Sequence, residues 1–288
     1  MKYQFIEDHR DQYPITLMCR ILEVARSGYY AWHKQPLSPR KMADLLLLMH
    51  IKDVFAESRE TYGSCRIQVE LTEQGIRCGR NRVARLMREH NLVPKTIRRF
   101  KVVTTDSNHT LPVAPNRLNQ VFTADRPDQI WLSDITYVPT AQGWLYLAVV
   151  LDLYSRRIVG WAMSDSLHRQ LVIEALQMAL TSRQPPPGLL HHSDRGSQYA
   201  SDDYQALLTQ ARMLGSMSRK GNCYDNAPVE SFFGTLKTEL VFHQHYTTRA
   251  EARLDIFEYL EVFYNRFRSH SALGYKSPVN YEALPLGA

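Results

Sequence analysis

The sequence predicts an α/β fold, a mixed five-stranded sheet with flanking helices, preceded by an all-α region. Two observations carry this. Up to about residue 95 the apolar residues recur at helical spacing, and after about residue 123 the pattern turns to short alternating or continuous apolar runs separated by helical ones. The second part reads in the order βββαβαβα, so that three strands in a meander and two more reached across helices make one sheet of mixed direction.

In chain order, residues 15–34, "ITLMCRILEVARSGYYAWHK", give one short helix, a break at "ARSG", and a second helix with Tyr29, Tyr30 and Trp32 on its aromatic face and Ser27 as its expected cap. A Pro-containing joint, "QPLSPR", leads to a long amphipathic helix over 42–57. Helices are then expected over 64–74 and 79–90, joined by a turn at 75–78, with the second ended by Asn91 and Pro94. Val83, Leu86 and Met87 form its inner face, while Arg80, Arg82, Arg85 and Arg88 decorate the rest. That is the plan of a helix-turn-helix with an Arg-rich recognition helix; an ordinary helix pair with a solvated basic face is the alternative. Residues 102–122 lack periodicity and read as a linker.

The strands follow as "QIWLSDITYV", "LYLAVVLDLY" and "RRIVGWAMS", then the helix "LHRQLVIEALQMALTSR", the strand "GLLHHSD", the helix "SDDYQALLTQARM" and the short strand "GSMS". A helix opens within "KGNCYDNAPVESFFGTLKTEL", with Asp225 or Asn226 as its expected cap and Pro228 tolerated in its first turn. Phe232 and Phe233 are expected to anchor it on the core, and a last helix is expected over 249–267. The organisation is therefore a helical segment over 1–36, a helix-turn-helix region over 37–101, a linker over 102–122 and an α/β domain over 123–288.

Charge divides along the same line. Residues 1–122 hold 20 Lys and Arg against 12 Asp and Glu, whereas 123–288 hold 15 against 17. The stretch 77–101 alone carries nine basic residues, among them Arg98 and Arg99, and the single acid Glu89. Such density suits a polyphosphate partner and points to nucleic acid. No apolar run approaches the roughly 20 residues of a membrane span, and the first residues have no signal-peptide core, so the expectation is a cytoplasmic protein with no membrane partner. Four scattered cysteines show neither a CxxC pair nor zinc-finger spacing.

Three carboxylates stand out by position. Asp134 lies inside the first strand among apolar and β-branched neighbours, Asp194 at the end of the fourth, and Glu230 in the first turn of the helix that follows. Sites in open α/β sheets gather at strand ends. Three acids brought together would repel one another unless a hard divalent cation joined them, and Mg²⁺ binds through a few carboxylates while keeping places for water and phosphate oxygens. Two ions so held suit phosphodiester chemistry, with Asp134 expected to bridge them. Lys237, seven residues after Glu230, points the same way on the helix and would meet a DNA phosphate. Asn222, in the glycine-bearing loop before the helix, is a further expected DNA contact. Asp152, also strand-borne, is expected to play a structural role with Arg156 or Arg157 as partner. Of the adjacent His191 and His192 at most one could join the site, and a packed, hydrogen-bonding role fits both better.

"WLSDITYV", "HHSDRGSQY", "GNCYDNAPVESFFGTLKTEL" and "YNRFRSHSALGYKSP" together resemble the OrfB-type transposases of the insertion-sequence-three family, bacterial relatives of retroviral integrases. "ARSGYYAW" and "TYGSCRI" resemble the helix-turn-helix region of that family. The resemblance implies an RNase H-like core with a DDE triad at Asp134, Asp194 and Glu230, followed by a lysine at Lys237. It implies cleavage at transposon ends and transfer of the freed 3′-OH into new DNA, with two Mg²⁺ ions for which Mn²⁺ can substitute. The implied partners are the element's terminal inverted repeats, target DNA, further copies of the chain, and an upstream helix-turn-helix and coiled-coil subunit often joined by frameshifting. Two other readings stand beside it: a non-catalytic DNA-binding regulator, which uses Arg80 to Arg88 and leaves the three carboxylates without a role, and an RNase H-type nuclease acting on RNA·DNA hybrids, which shares the core chemistry.

Overall fold

The computed structural model describes residues 1–34, 38–95, 112–219 and 223–285. The chain forms two compact units, one of residues 1–57 and 63–93, the other of 58–62 and 94–288.

The first unit is all helical. Helices α1 (Lys2–Asp8), α2 (Ile15–Ile21) and α3 (Arg26–Lys34) enclose a small core of Ile6, Met18, Cys19 and Tyr29. The Tyr29 hydroxyl donates to Glu7 at 2.6 Å and His33 Nδ1 lies 3.0 Å from the same carboxylate, which ties α3 to α1. Ser27 is inside α3 and not at its cap, because the chain breaks earlier, at 22–25. Helix α4 (Pro39–Glu57) supplies Leu47, Leu48, Ile51, Val54 and Phe55 to a second core, met by Ile67 and Leu71 of α5 (Ser64–Glu73) and by Val83, Leu86 and Met87 of α6 (Arg80–Glu89). Gly75, at φ +81°, makes the left-handed turn between α5 and α6 that a side chain would strain.

The second unit is built on β1 (Ile130–Thr140), β2 (Gly143–Asp152), β3 (Ile158–Ser164), β4 (Leu190–Ser193) and β5 (Leu214–Met217), in the spatial order β3-β2-β1-β4-β5. The first three strands pair antiparallel; β1–β4 and β4–β5 are parallel. Helix α7 (Arg169–Arg183) packs on β2 and β3, and α8 (Asp202–Gln210) on β5. Gly160 of β3 admits α7, since a Cβ there would collide with the Ala175 carbonyl and with Ala179. Helix α9 (Ala227–Glu239) packs on β1, and α10 (Arg249–Phe257) on β1 and β2. With helices on both sides, β2 is buried almost throughout, as a central strand should be.

The last expected helix does not run on to 267. After α10 the chain widens into a π-helix over Glu258–Tyr264, which turns Tyr259, Leu260, Phe263 and Tyr264 all inward. This brings Asn265 against the edge strand: it accepts from Ile158 N and donates to Ile158 O, both at 3.0 Å. The final short helix is α11 (Pro278–Glu282), capped by Ser277.

Asp152 has the expected structural role with different partners. Its carboxylate accepts from the amides of Asp128 at 2.7 Å and Ser155 at 3.0 Å and from the Ser155 hydroxyl, while Arg157 pairs with Glu282 at 2.8 Å. Backbone amides of the tight turn at 152–155 reach the carboxylate before a long guanidinium can. Burial pushes Asp152 up to about 6.

Two charge clusters, each centred on a buried carboxylate, brace α9. At its end, Glu239 receives Arg268 at 2.6 and 2.8 Å and the Tyr259 hydroxyl at 2.8 Å, with both ionic side chains under one-tenth exposed. At its start, fully buried Asp225 gathers Asn116, Gln120 and the amide and guanidinium of Arg219, all within 3.1 Å. The described end of the expected linker is therefore fixed to this unit, with Leu118 buried as well.

Arg268→Met should lower unfolding free energy by about 3–5 kcal/mol, because it strands a buried carboxylate, and adding Glu239→Leu should restore most of the loss; urea unfolding of the single and double variants measures both. The Arg219 side chain, ahead of the other donors, holds Asp225 well below the ordinary carboxylate range. Its stabilisation is thus complete above the unfolded value of about 4 and fades as pH falls below it. Asp225→Asn should be less stable near neutrality and show a shallower acid decline in a pH series of urea midpoints.

Candidate active site

The parallel register between β1 and β4 pairs Ile130 with Leu190 and Ser133 with Ser193, where β4 ends. The next residues in that register are Asp134 and Asp194. β1 continues past this point paired with β2 while β4 ends, so the two acids stand side by side where β1 and β4 part, at the crossover point of the sheet. Gly196 lets the chain turn out of β4: its amide donates to Asp194 Oδ1 at 2.8 Å, and a Cβ there would lie only 3.0 Å from that oxygen. Arg195 Nε reaches the Ser218 carbonyl and ties the same turn to the end of β5.

Helix α9 brings Glu230 and Lys237. Its position is set by Asn226, whose Nδ2 donates to the Ser133 carbonyl at 3.1 Å, immediately before Asp134. Asn226 is buried, and among the described residues its other amide atom, Oδ1, has no partner. It stands at the N-cap position without making a side-chain cap bond, and Asp225 is absorbed by Arg219, so neither acts as the expected cap. Their sequence signature, small polar residues before an apolar helix, is the same for a cap and a brace; what differs is the partner 93 residues away in β1.

The electrostatics join these groups. Desolvation first, then the charges of Asp194 and Glu230, push the Asp134 carboxyl well above its ordinary value, against the Ile135 amide and Lys237, which pull it down. The Ile135 N–H donates to Asp134 Oδ1 at 2.8 Å. Glu230 is raised by burial alone, so it is a looser member of the group, and its residue is exposed. Burial lowers Lys237 while Asp134 raises it, and its ammonium lies 5.2 Å from the Tyr137 ring centroid.

Among the described residues no three His, Cys, Asp or Glu side chains, the three carboxylates included, are drawn together closely enough to hold a metal ion. The donor set nevertheless fits a hard divalent cation. It offers carboxylate oxygens and is under the mutual repulsion that such a cation relieves.

The two histidines serve the sheet. His191 Nε2 lies 2.9 Å from Ser133 Oγ and 3.0 Å from the Tyr204 hydroxyl, and His192 lies 2.8 Å from Ser216 Oγ and 3.2 Å from Ser218 Oγ. Burial pushes them down to about 3 and about 4, so both are neutral near pH 7.

In the first unit, Arg80 and Arg88 are exposed on α6. Arg82 and Arg85 are not free in the same way: Asp44 of α4 holds Arg82 Nε at 2.6 Å and Arg85 at 2.7 Å, and Glu89 takes Arg85 as well. Asn222, Arg98 and Arg99 lie outside the described residues.

Comparison with known proteins gives these features a setting. Residues 42–100 match the HTH-like domain family, and 124–223 and 230–286 match two integrase core domain families. The chain is 52% identical over 264 residues to an uncharacterised 31 kDa protein of insertion element IS600 from Shigella sonnei, covering 92% of this chain and 97% of that one. It is 45% identical over 284 residues to the transposase InsF of insertion sequence IS3A from Escherichia coli, covering 98% of each. Among solved structures, a simian T-cell lymphotropic virus intasome aligns over 77% of this chain and 72% of its own, with TM-score 0.48 and 17% identity. The HTLV-2 integrase catalytic core domain in complex with magnesium aligns over 55% and 97%, with TM-score 0.43 and 17% identity. Near-full-length identity of this order to a transposase, with the integrase core and HTH-like matches in the same order along the chain, places the protein in the insertion-sequence-three (IS3) family of DDE transposases.

Proposed function

We propose that Asp134, Asp194 and Glu230 are the catalytic carboxylates of this transposase, that they hold Mg²⁺, and that the DNA they act on is the element's own terminal repeats and its target. The observation that carries this is the register of β1 and β4, which aligns Asp134, inside β1, with Asp194, just past the end of β4, while α9 adds Glu230 to the same field.

One or two Mg²⁺ ions, when bound, supply positive charge to the phosphate and make a water or 3′-OH a better nucleophile. The rest is work for the chain itself. Asn226 and Asp225 keep α9 docked so that Glu230 stays beside the aspartates. Gly196 leaves the Asp194 carboxylate uncrowded. Lys237, on the Glu230 side of α9, contacts a backbone phosphate and holds the strand in place for in-line attack on phosphorus. In cleavage a water oxygen bonds to that phosphorus as its bond to the 3′ oxygen breaks; in strand transfer the freed 3′ oxygen attacks a target phosphodiester in the same sense.

The helical unit supplies grip on DNA. Arg80 and Arg88 are its exposed cations on α6, whereas Arg82 and Arg85 are set against Asp44 and act first as braces of the recognition helix.

Asp134→Asn should lower Mg²⁺-dependent cleavage of DNA bearing the element's ends by at least about a thousandfold, with circular dichroism and DNA binding unchanged. Retained cleavage would contradict the assignment. Arg80→Ala should weaken binding to all sequences alike and reduce the slope of log affinity against log salt by about one; fluorescence anisotropy over a salt series reads both.

A further inference from the structure

The β1–β2 hairpin carries an indole that the chemistry above leaves unused. Trp144 is 49% exposed at the start of β2, and among the described residues its N–H has no partner. The register pairs Tyr137 with Tyr146, so Trp144 is the diagonal neighbour of Tyr137 on the same face, and the two rings meet edge to face with centroids 4.7 Å apart. The backbone beneath is fixed. Thr140 Oγ1 donates to Gly143 O at 2.6 Å, the Ala141 amide to Tyr246 O at 3.0 Å, and Arg249 Nε to Trp144 O at 3.0 Å; Gln142 accepts from the Arg249 amide at 3.1 Å. Gly143 turns the hairpin at φ +99°.

Cations flank this aromatic pair. The Lys237 ammonium lies over the Tyr137 ring, and Arg249 runs along the hairpin backbone. Large apolar area held rigidly in water between positive groups is the make-up of a base-stacking platform, because every nucleobase presents a π face and every nucleotide a phosphate. Tyr137 is three strand residues beyond Asp134, about 10 Å along β1 and on the other side of the pleat; Lys237, which lies over the Tyr137 ring and whose charge acts on Asp134, links the two. That separation along the strand equals roughly three stacked base steps of about 3.4 Å.

We propose that Trp144, backed by Tyr137, stacks an unpaired nucleobase of the DNA end some two to three nucleotides from the phosphate held at Asp134 and Asp194, with Lys237 and Arg249 on the flanking phosphates. The inference rests on the reading of Asp134, Asp194 and Glu230 as the cleavage site. The platform selects ends that have opened, since a base paired inside a duplex cannot reach the indole face.

The test uses the full chain and two versions of the element's end, one fully paired and one with its last three base pairs mismatched. 2-Aminopurine is placed in turn at each of the three positions beside the cleaved bond. Without divalent metal, Trp144→Ala should lose roughly ten- to a hundredfold in affinity for the mismatched end and little for the paired one, and should lose the fluorescence quenching seen with the natural chain. Trp144→Phe, which keeps a ring, should fall between the two proteins. Equal mismatched-end affinity and equal quenching for the natural chain and Trp144→Ala would overturn the platform, as would Trp144→Phe behaving like Trp144→Ala. Matched thermal unfolding midpoints exclude misfolding, and Trp144 is exposed enough that its loss opens no core. Mg²⁺-dependent cleavage by the natural chain is scored separately, so its absence would sink the cleavage-site reading while the metal-free binding still decides the stacking.

Discussion

The parallel pairing of β1 with β4 is the constraint from which the catalytic unit follows. Four paired positions fix the offset between the strands, and the fifth holds an acid on each. A slip of one residue would turn Asp134 to the opposite face of the sheet, away from Asp194. The slip is prevented by what the same strands bury on either side: Trp131 and Leu132 on β1 are wholly buried, and Ser133 and His191 are hydrogen-bonded across the pair. The core therefore guards the spacing of the site, and the two neutral histidines belong to that guard.

The acids are held near one another at an energetic cost. Asp134 is desolvated and faces two like charges, which the Ile135 amide and Lys237 only partly offset. Ion pairs elsewhere, each with a buried carboxylate, secure the frame against that repulsion. Arg268 and Glu239 hold the end of α9, and Arg219 and Asp225 hold the turn before its start. Asn226 joins the helix directly to the strand carrying Asp134. Glu230 is exposed, whereas Asp134 is held inside β1 and Asp194 stands directly after β4.

Much of this was legible in the sequence, and the exceptions share a cause. The order of strands and helices follows from local periodicity, and the three acids stand out by position: Asp134 inside an apolar strand, Asp194 at the end of another and Glu230 in the first turn of a helix. The inner face of α6 follows from the 3.6-residue repeat in the same way. What escaped depends on partners far along the chain. Asp44 claims Arg82 and Arg85 from 38 and 41 residues away, so four arginines that look alike on a helical wheel divide into two exposed and two engaged. Asn226 reads as a cap until Ser133 is brought to it. The π-helical turn after α10 has the same apolar residues as an α-helix would, and its reason, the reach of Asn265 to Ile158, lies across the sheet.

The central claim is that the three carboxylates act as one unit, and coupled loss of metal binding tests it most directly. Mn²⁺ titrations followed by electron paramagnetic resonance of the free ion would compare the natural chain with Asp194→Asn, Glu230→Gln and the double variant. If the acids form one site, the double variant binds about as weakly as the weaker single one, because residues in direct interaction are not additive. Losses in the double variant that equal the two single losses combined would show independent acids and contradict the account.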